Sequence, residues 1–158
     1  MRDRYQLLQE EWAGIDDHPW RMLVISITQQ GVLWPVADQL LDEIFDTFHD
    51  PIMMDEDHLI SDTAIFDDKD HYILYQILRG TSFSRQKTNR LIEMSRSYIT
   101  YEKRYHGDYA RFNIIKDFKG CGQYAQDTWD LFVLKKPCKP EHRLLIKYAK
   151  EHNLYKED

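Results

Sequence analysis

Residues 118–129 read FKGCGQYAQDTW, with two glycines, Gly120 and Gly122, standing one residue apart where one apolar run stops and another starts. Before the glycines, NIIKDF (113–118) has the spacing of a short apolar helix. After them, QYAQDTWDLFVL (123–134) sets Tyr124, Ala125, Trp129, Phe132 and Val133 toward a core. The spacing predicts a helix, a tight KGCG turn and a second helix. The first glycine permits the turn, and the second lets another backbone approach the start of a helix whose N–H groups point outward. Such donors suit a phosphate, with Lys116 and Lys119 beside it and Cys121 as an inward apolar plug. Taken alone, Gly-x-Gly is explained equally well by a helix that ends in a glycine turn.

Working outward, the same three-and-four spacing recurs along the chain. QLLQEEW (6–12) and PWRMLVISITQQ (19–30) read as the first two helices, with Pro19 suited to a first turn. PVADQLLDEIFDTF (35–48) is a third, which HDP terminates. The acidic tract MMDEDHLISD (53–62) reads as a short helix or a loop, and DKDHYILYQIL (68–78) as a helix with acidic residues in its first turn, stopped by Arg79-Gly80. SRQKTNRLIEMSRSYITYEKRY (84–105) is a long amphipathic helix opened by Ser84. The expectation is one compact all-α domain over residues 1–158, of roughly seven to nine helices, with no strand, hairpin or internal repeat.

A length of 158 residues at 42% hydrophobic composition supports one sizeable core. No stretch approaches the roughly 18 apolar residues of a membrane span, and the MRDRYQLLQEE start is too charged for a secretory signal. A soluble intracellular monomer is expected, cytoplasmic or nucleoid-associated, or in the host cell if the source is viral. Two cysteines exclude a four-cysteine metal site and argue against a disulfide. The formal charge of −6 conceals an uneven distribution. Residues 1–78 hold 4 Lys or Arg against 17 Asp or Glu, a balance of −13, and residues 79–150 hold 16 against 7, a balance of +9. The second half is therefore suited to a polyanion, or the two halves attract one another.

Other constellations carry less. DDKDHYILYQIL starts like a calcium loop but has His71 and Tyr72 where the turn needs glycine and Leu78 where it needs the closing glutamate. The seven histidines lack the spacing of a zinc site, so no metal is expected.

With these segments in order, the chain from about residue 12 to residue 154 resembles the helix-hairpin-helix DNA glycosylase superfamily, most closely the glycosylase domain of the methyl-CpG-binding thymine glycosylases. The resemblance rests on DDHPWRMLVISITQQ, SFSRQKTNRLIEMSRSYI, FKGCGQYAQDTWDLFVL and KPEHRLLIKYAKEH. It implies an enzyme that grips double-stranded DNA through the hairpin, flips a mispaired or modified pyrimidine into a pocket and cleaves its N-glycosidic bond. It implies DNA contacts from Gln29 and Gln30 as the wedge, and from Arg85, Lys87, Lys116, Lys119, Gly120, Gly122 and Gln123. No cofactor is implied beyond a monovalent cation that the hairpin could hold. The lysine of the Schiff-base branch is replaced by Tyr124, so any glycosylase would be monofunctional. The family's catalytic aspartate is replaced by His142, which leaves His142 or Glu141 to activate water, and Asp127 either braces the site or lies at the surface. Gly31 stands where the closest relatives carry an intercalating arginine. The alternative implied by His142 is a glycosylase-like enzyme of thymine hypermodification, as in viral systems, or a catalytically silent DNA-binding module.

Overall fold

A computed structural model describes residues 7–12, 19–57, 72–106, 108–109, 115 and 118–157. The elements are α1 (Leu8–Trp12), α2 (Trp20–Thr28), α3 (Trp34–Thr47), α4 (Pro51–Asp55), α5 (Ile73–Leu78), α6 (Ser84–Tyr105), α7 (Gln123–Thr128) with a π-helical turn (Trp129–Val133), and α8 (Arg143–Glu151). The fold is all-α. Among the described residues the one β contact is an isolated parallel bridge between Cys138 and Tyr155, which pins the C-terminal segment.

The core forms around α2, which is buried at every position but Arg21, as its largely apolar sequence requires. Against it lies α6, whose Ser95 hydroxyl accepts from the Trp20 indole at 3.0 Å, and the Tyr98 ring meets Trp129 edge-on at 6.2 Å. The third helix buries Ala37, Leu40, Leu41, Ile44 and Phe45, the inward stripe of an amphipathic helix, and turns its carboxylates outward. A smaller core of Leu7, Leu131, Cys138, Leu145 and Ala149 joins α8 to the π turn.

Two helix starts differ from the sequence expectation. HDP ends α3 and also begins α4: the Asp50 carboxylate accepts from the Met53 N–H at 2.8 Å, with Pro51 in the first turn. Helix α5 begins at Ile73, and its first amides are held by a residue remote in sequence. The fully buried Asp57 carboxylate accepts from Ile73 N–H at 3.1 Å and Leu74 N–H at 2.9 Å. Helix α6 runs from Ser84 to Tyr105, the bounds expected from sequence, and Phe83 precedes it in the left-handed region with no side-chain cap.

Of the expected helix-hairpin-helix, the turn and the second helix are described. Its first helix falls, apart from Ile115 and Phe118, outside the described residues, and so does Lys116.

Candidate functional site

The cleft beside the hairpin

A cleft of about 700 Å³ opens between the end of α2, the start of α7 and the start of α8. That volume is in the range of small-molecule pockets. One wall is apolar, from Leu7, Val32, Leu33, Trp34 and Leu144; the polar wall is Gln29, Gln30, Tyr124 and His142. Four of the residues singled out from sequence thus meet in one place, contributed by three segments far apart in the chain.

Tyr124 sits in the first turn of α7, and its Oη accepts from Gln9 Nε2 at 2.9 Å and from Gln29 Nε2. The same oxygen keeps a proton of its own to donate, and Tyr124 lines the cleft. Burial pushes its pKa up to about 12, so the proton is held at neutral pH. Gln9, fully buried on α1, also approaches Thr128 Oγ1 at 3.3 Å. Sequence reading missed Gln9, for an isolated glutamine in a short helix carries no signal of its own.

His142 is the N-cap of α8, where its Nδ1 accepts from Leu144 N–H at 3.3 Å. This bond assigns the neutral tautomer with the proton on Nε2. Burial and the adjacent Arg143 charge lower its pKa below the ordinary imidazole value. The ring meets Tyr124 edge-on at 5.2 Å. In this arrangement His142 offers the cleft an N–H donor. To serve as a base it must release Leu144 N–H and exchange tautomer.

Asp127 is buried, and its carboxylate accepts from Gln123 Nε2 at 2.8 Å and from the backbone N–H of Glu141. It therefore ties α7 to the residue before His142. Burial raises its pKa. Asp127, Asp130 and Cys138 place their ligand atoms within 4.8 Å of one another. Both carboxylates already hold protein donors, Asp130 from Gln126 Nε2 at 3.0 Å and Lys136 Nζ at 3.6 Å. Glu141 is exposed and does not line the cleft.

The two hairpin glycines divide their roles differently from expectation. Gly120 has φ +84, and a Cβ on it would lie 2.3 Å from the Arg90 carbonyl oxygen, so this first glycine supplies both the turn and the close backbone approach. Gly122 is the extended N-cap of α7, and a Cβ there would meet open space. Cys121 packs half-buried against the core, as expected of a plug, and burial pushes its thiol up to about 12.

The remaining phosphate candidates differ in exposure and in the partners they hold. Lys119 and Arg85 are exposed, the latter with its guanidinium 5.7 Å from the Tyr75 ring centroid, and Gln123 spends its amide nitrogen on Asp127. Lys87 is a correction. It is 1% exposed on the inner face of α6, its Nζ has no hydrogen-bond partner and its pKa is lowered by burial, so it presents no cation to a backbone phosphate.

The wedge expectation also changes. Gln29 is bound to Tyr124 and Gln30 to Arg90, whereas Leu33 and Phe83 stand 78% and 66% exposed at the cleft mouth. Gly31, at φ +70, packs toward the Phe83 ring and brings the two loops together.

No family model matches the chain, and comparison with curated proteins finds no match. No helix among the described residues is long and apolar enough to cross a membrane.

Proposed function

We propose that the protein binds duplex DNA and takes a flipped pyrimidine base into the cleft, as a base-processing enzyme of the glycosylase-like kind. The observation that carries this reading is the meeting of Gln29, Tyr124 and His142 in the lining of one cleft with room for a flipped base. The exposed apolar side chains of Leu33 and Phe83 suit contact with the opened base stack. Behind the cleft mouth, the open Gly122 N-cap and the exposed Lys119 suit a phosphate.

The chemistry follows from hydrogen-bond polarity. The Tyr124 O–H and the His142 Nε2–H both donate, and donors stabilise negative charge that develops on a carbonyl oxygen of the base. In glycosidic cleavage the C1′–N bond breaks, its electron pair leaves with the base and spreads onto the carbonyl oxygens, and water adds to the sugar cation. The two donors would help the leaving group, and the enzyme would be monofunctional.

A second reading has its own support. None of the described residues that line the cleft is a carboxylate, and Asp127 is committed to Glu141 N–H and Gln123. A lining that offers the Tyr124 and His142 donors and no carboxylate also suits a reaction that places negative charge on a base carbonyl oxygen while the sugar bond survives.

The deciding experiment incubates the protein with duplexes carrying mismatched and 5-substituted pyrimidines, then measures abasic sites and the masses of the bases. Abasic sites establish excision, and altered base masses without them establish modification. Binding with neither product leaves a DNA-binding module. No binding to any duplex overturns the proposal.

A further inference from the structure

Arg90, half-buried on α6, touches both the loop after α2, which lines the cleft, and the glycine turn that precedes α7. Its Nε donates to the Gly120 carbonyl at 3.0 Å and its Nη1 donates to Gln30 Oε1 at 2.9 Å. The α6 backbone beneath it is pressed against Gly120, so the guanidinium's origin is held in place. A guanidinium has donors only. The Gln30 amide must therefore turn its oxygen toward Arg90, and its NH₂ is the end left for the cleft that Gln30 lines. Gln29 is held the other way round. Its Nε2 is spent on the Tyr124 oxygen, which leaves its own oxygen for the cleft.

We propose that Arg90 is a positioning residue that sets the cleft's ligand preference. By fixing the Gln30 amide, it makes that part of the wall a hydrogen-bond donor, so the cleft selects a planar ligand carrying a carbonyl oxygen at that edge over one carrying an amino group. The proposal deepens the function above and rests on it for the class of ligand, a nucleobase. The physical basis is the near equivalence of the two amide orientations once no neighbour distinguishes them. A site built to donate rejects a ligand that brings a second donor, because two N–H groups then face each other desolvated. Without Arg90 the amide rotates and serves either ligand.

The test uses the full chain and two free bases, 1-methylthymine and 1-methylcytosine, titrated by NMR. Wild type is expected to prefer 1-methylthymine by about tenfold, the worth of one well-placed hydrogen bond. Arg90→Met keeps the aliphatic stem and removes the donors, and it should bring the ratio close to one. Arg90→Lys retains a donor for Gln30 Oε1 and should recover part of the preference, which a merely structural role would not require. Gln30→Glu keeps an acceptor for Arg90 but has no N–H, and it should reverse the preference. Equal binding of both bases by wild type overturns the proposal, and so does a ratio unmoved by Arg90→Met in a folded variant. If Arg90→Met does not fold, Gln30→Glu decides, and an unchanged preference there is equally fatal. Duplex binding is measured in parallel. Base preference without duplex binding would sink the proposed function and leave this inference standing.

Discussion

His142 is both the N-cap of α8 and a member of the cleft wall, so one ring supports the helix and faces the ligand. Protonation would cost it on both counts, because imidazolium cannot accept Leu144 N–H and a cation opposes positive charge on the sugar. The folded pKa is lowered. The neutral form is thus favoured by folding, and this stabilisation is full above the ordinary imidazole pKa of about 6.5 and is lost as pH falls through the lower folded value. Single-turnover activity of the wild type should be flat at neutral pH and decline on the acid side, below 6.5. His142→Ala should remove that acid limb together with the activity. His142→Asp keeps an N-cap acceptor and restores a negative charge, and it should create or raise base release. Base release by His142→Ala at the wild-type rate, abolished only by Glu141→Gln, would transfer the role to the glutamate.

At the scale of elements, the hairpin turn separates into a structural and an open glycine. Gly120→Ala places a Cβ against the Arg90 carbonyl at a left-handed φ, and it should destabilise the fold by roughly 2–4 kcal/mol in denaturant titration. Gly122→Ala meets nothing and should leave stability within about 1 kcal/mol. If the N-cap receives a phosphate, Gly122→Ala should nonetheless weaken binding to all duplex sequences alike, since backbone contacts carry no sequence information. Unchanged binding would reduce the motif to a turn. Helix α5 supplies a second test. Removing the carboxylate in Asp57→Ala strands the Ile73 and Leu74 amides, and a loss of about 1–3 kcal/mol is expected by the same titration.

For the whole molecule the decisive property is the charge division, −13 over residues 1–78 and +9 over residues 79–150. Helix α3 carries Asp38, Asp42, Glu43 and Asp46 with no basic residue, so a duplex, if one binds, is expected to avoid α3 and to use the basic residues of the second half. If four to six phosphates are neutralised there, log Kd against log salt should have a slope of roughly 4–5, measured by fluorescence anisotropy. A slope near zero would mean that the two halves neutralise each other.

What the sequence determined by itself was everything local. Apolar spacing at three and four residues placed α2, α3 and α6 and their buried faces, because helical periodicity is written in adjacent turns. The glycine pair located the turn for the same reason. Tyr124 and His142 were candidates through the resemblance alone, which sets them at the lysine and aspartate positions of the family pattern. Tertiary structure alone decided the rest. Asp57 caps a helix 16 residues away, Gln9 reaches Tyr124 across 115 residues, and Arg90 meets Gln30 across 60. Such partners leave no periodic trace, since any polar residue on a short helix reads alike until packing chooses its neighbour. Lys87 shows the converse: the resemblance made it a DNA contact, and packing of α6 turned it inward. The sign of each hydrogen bond in the cleft, donor or acceptor, was likewise settled by what stands behind each side chain, because amides and imidazoles take their polarity from the partner they already hold.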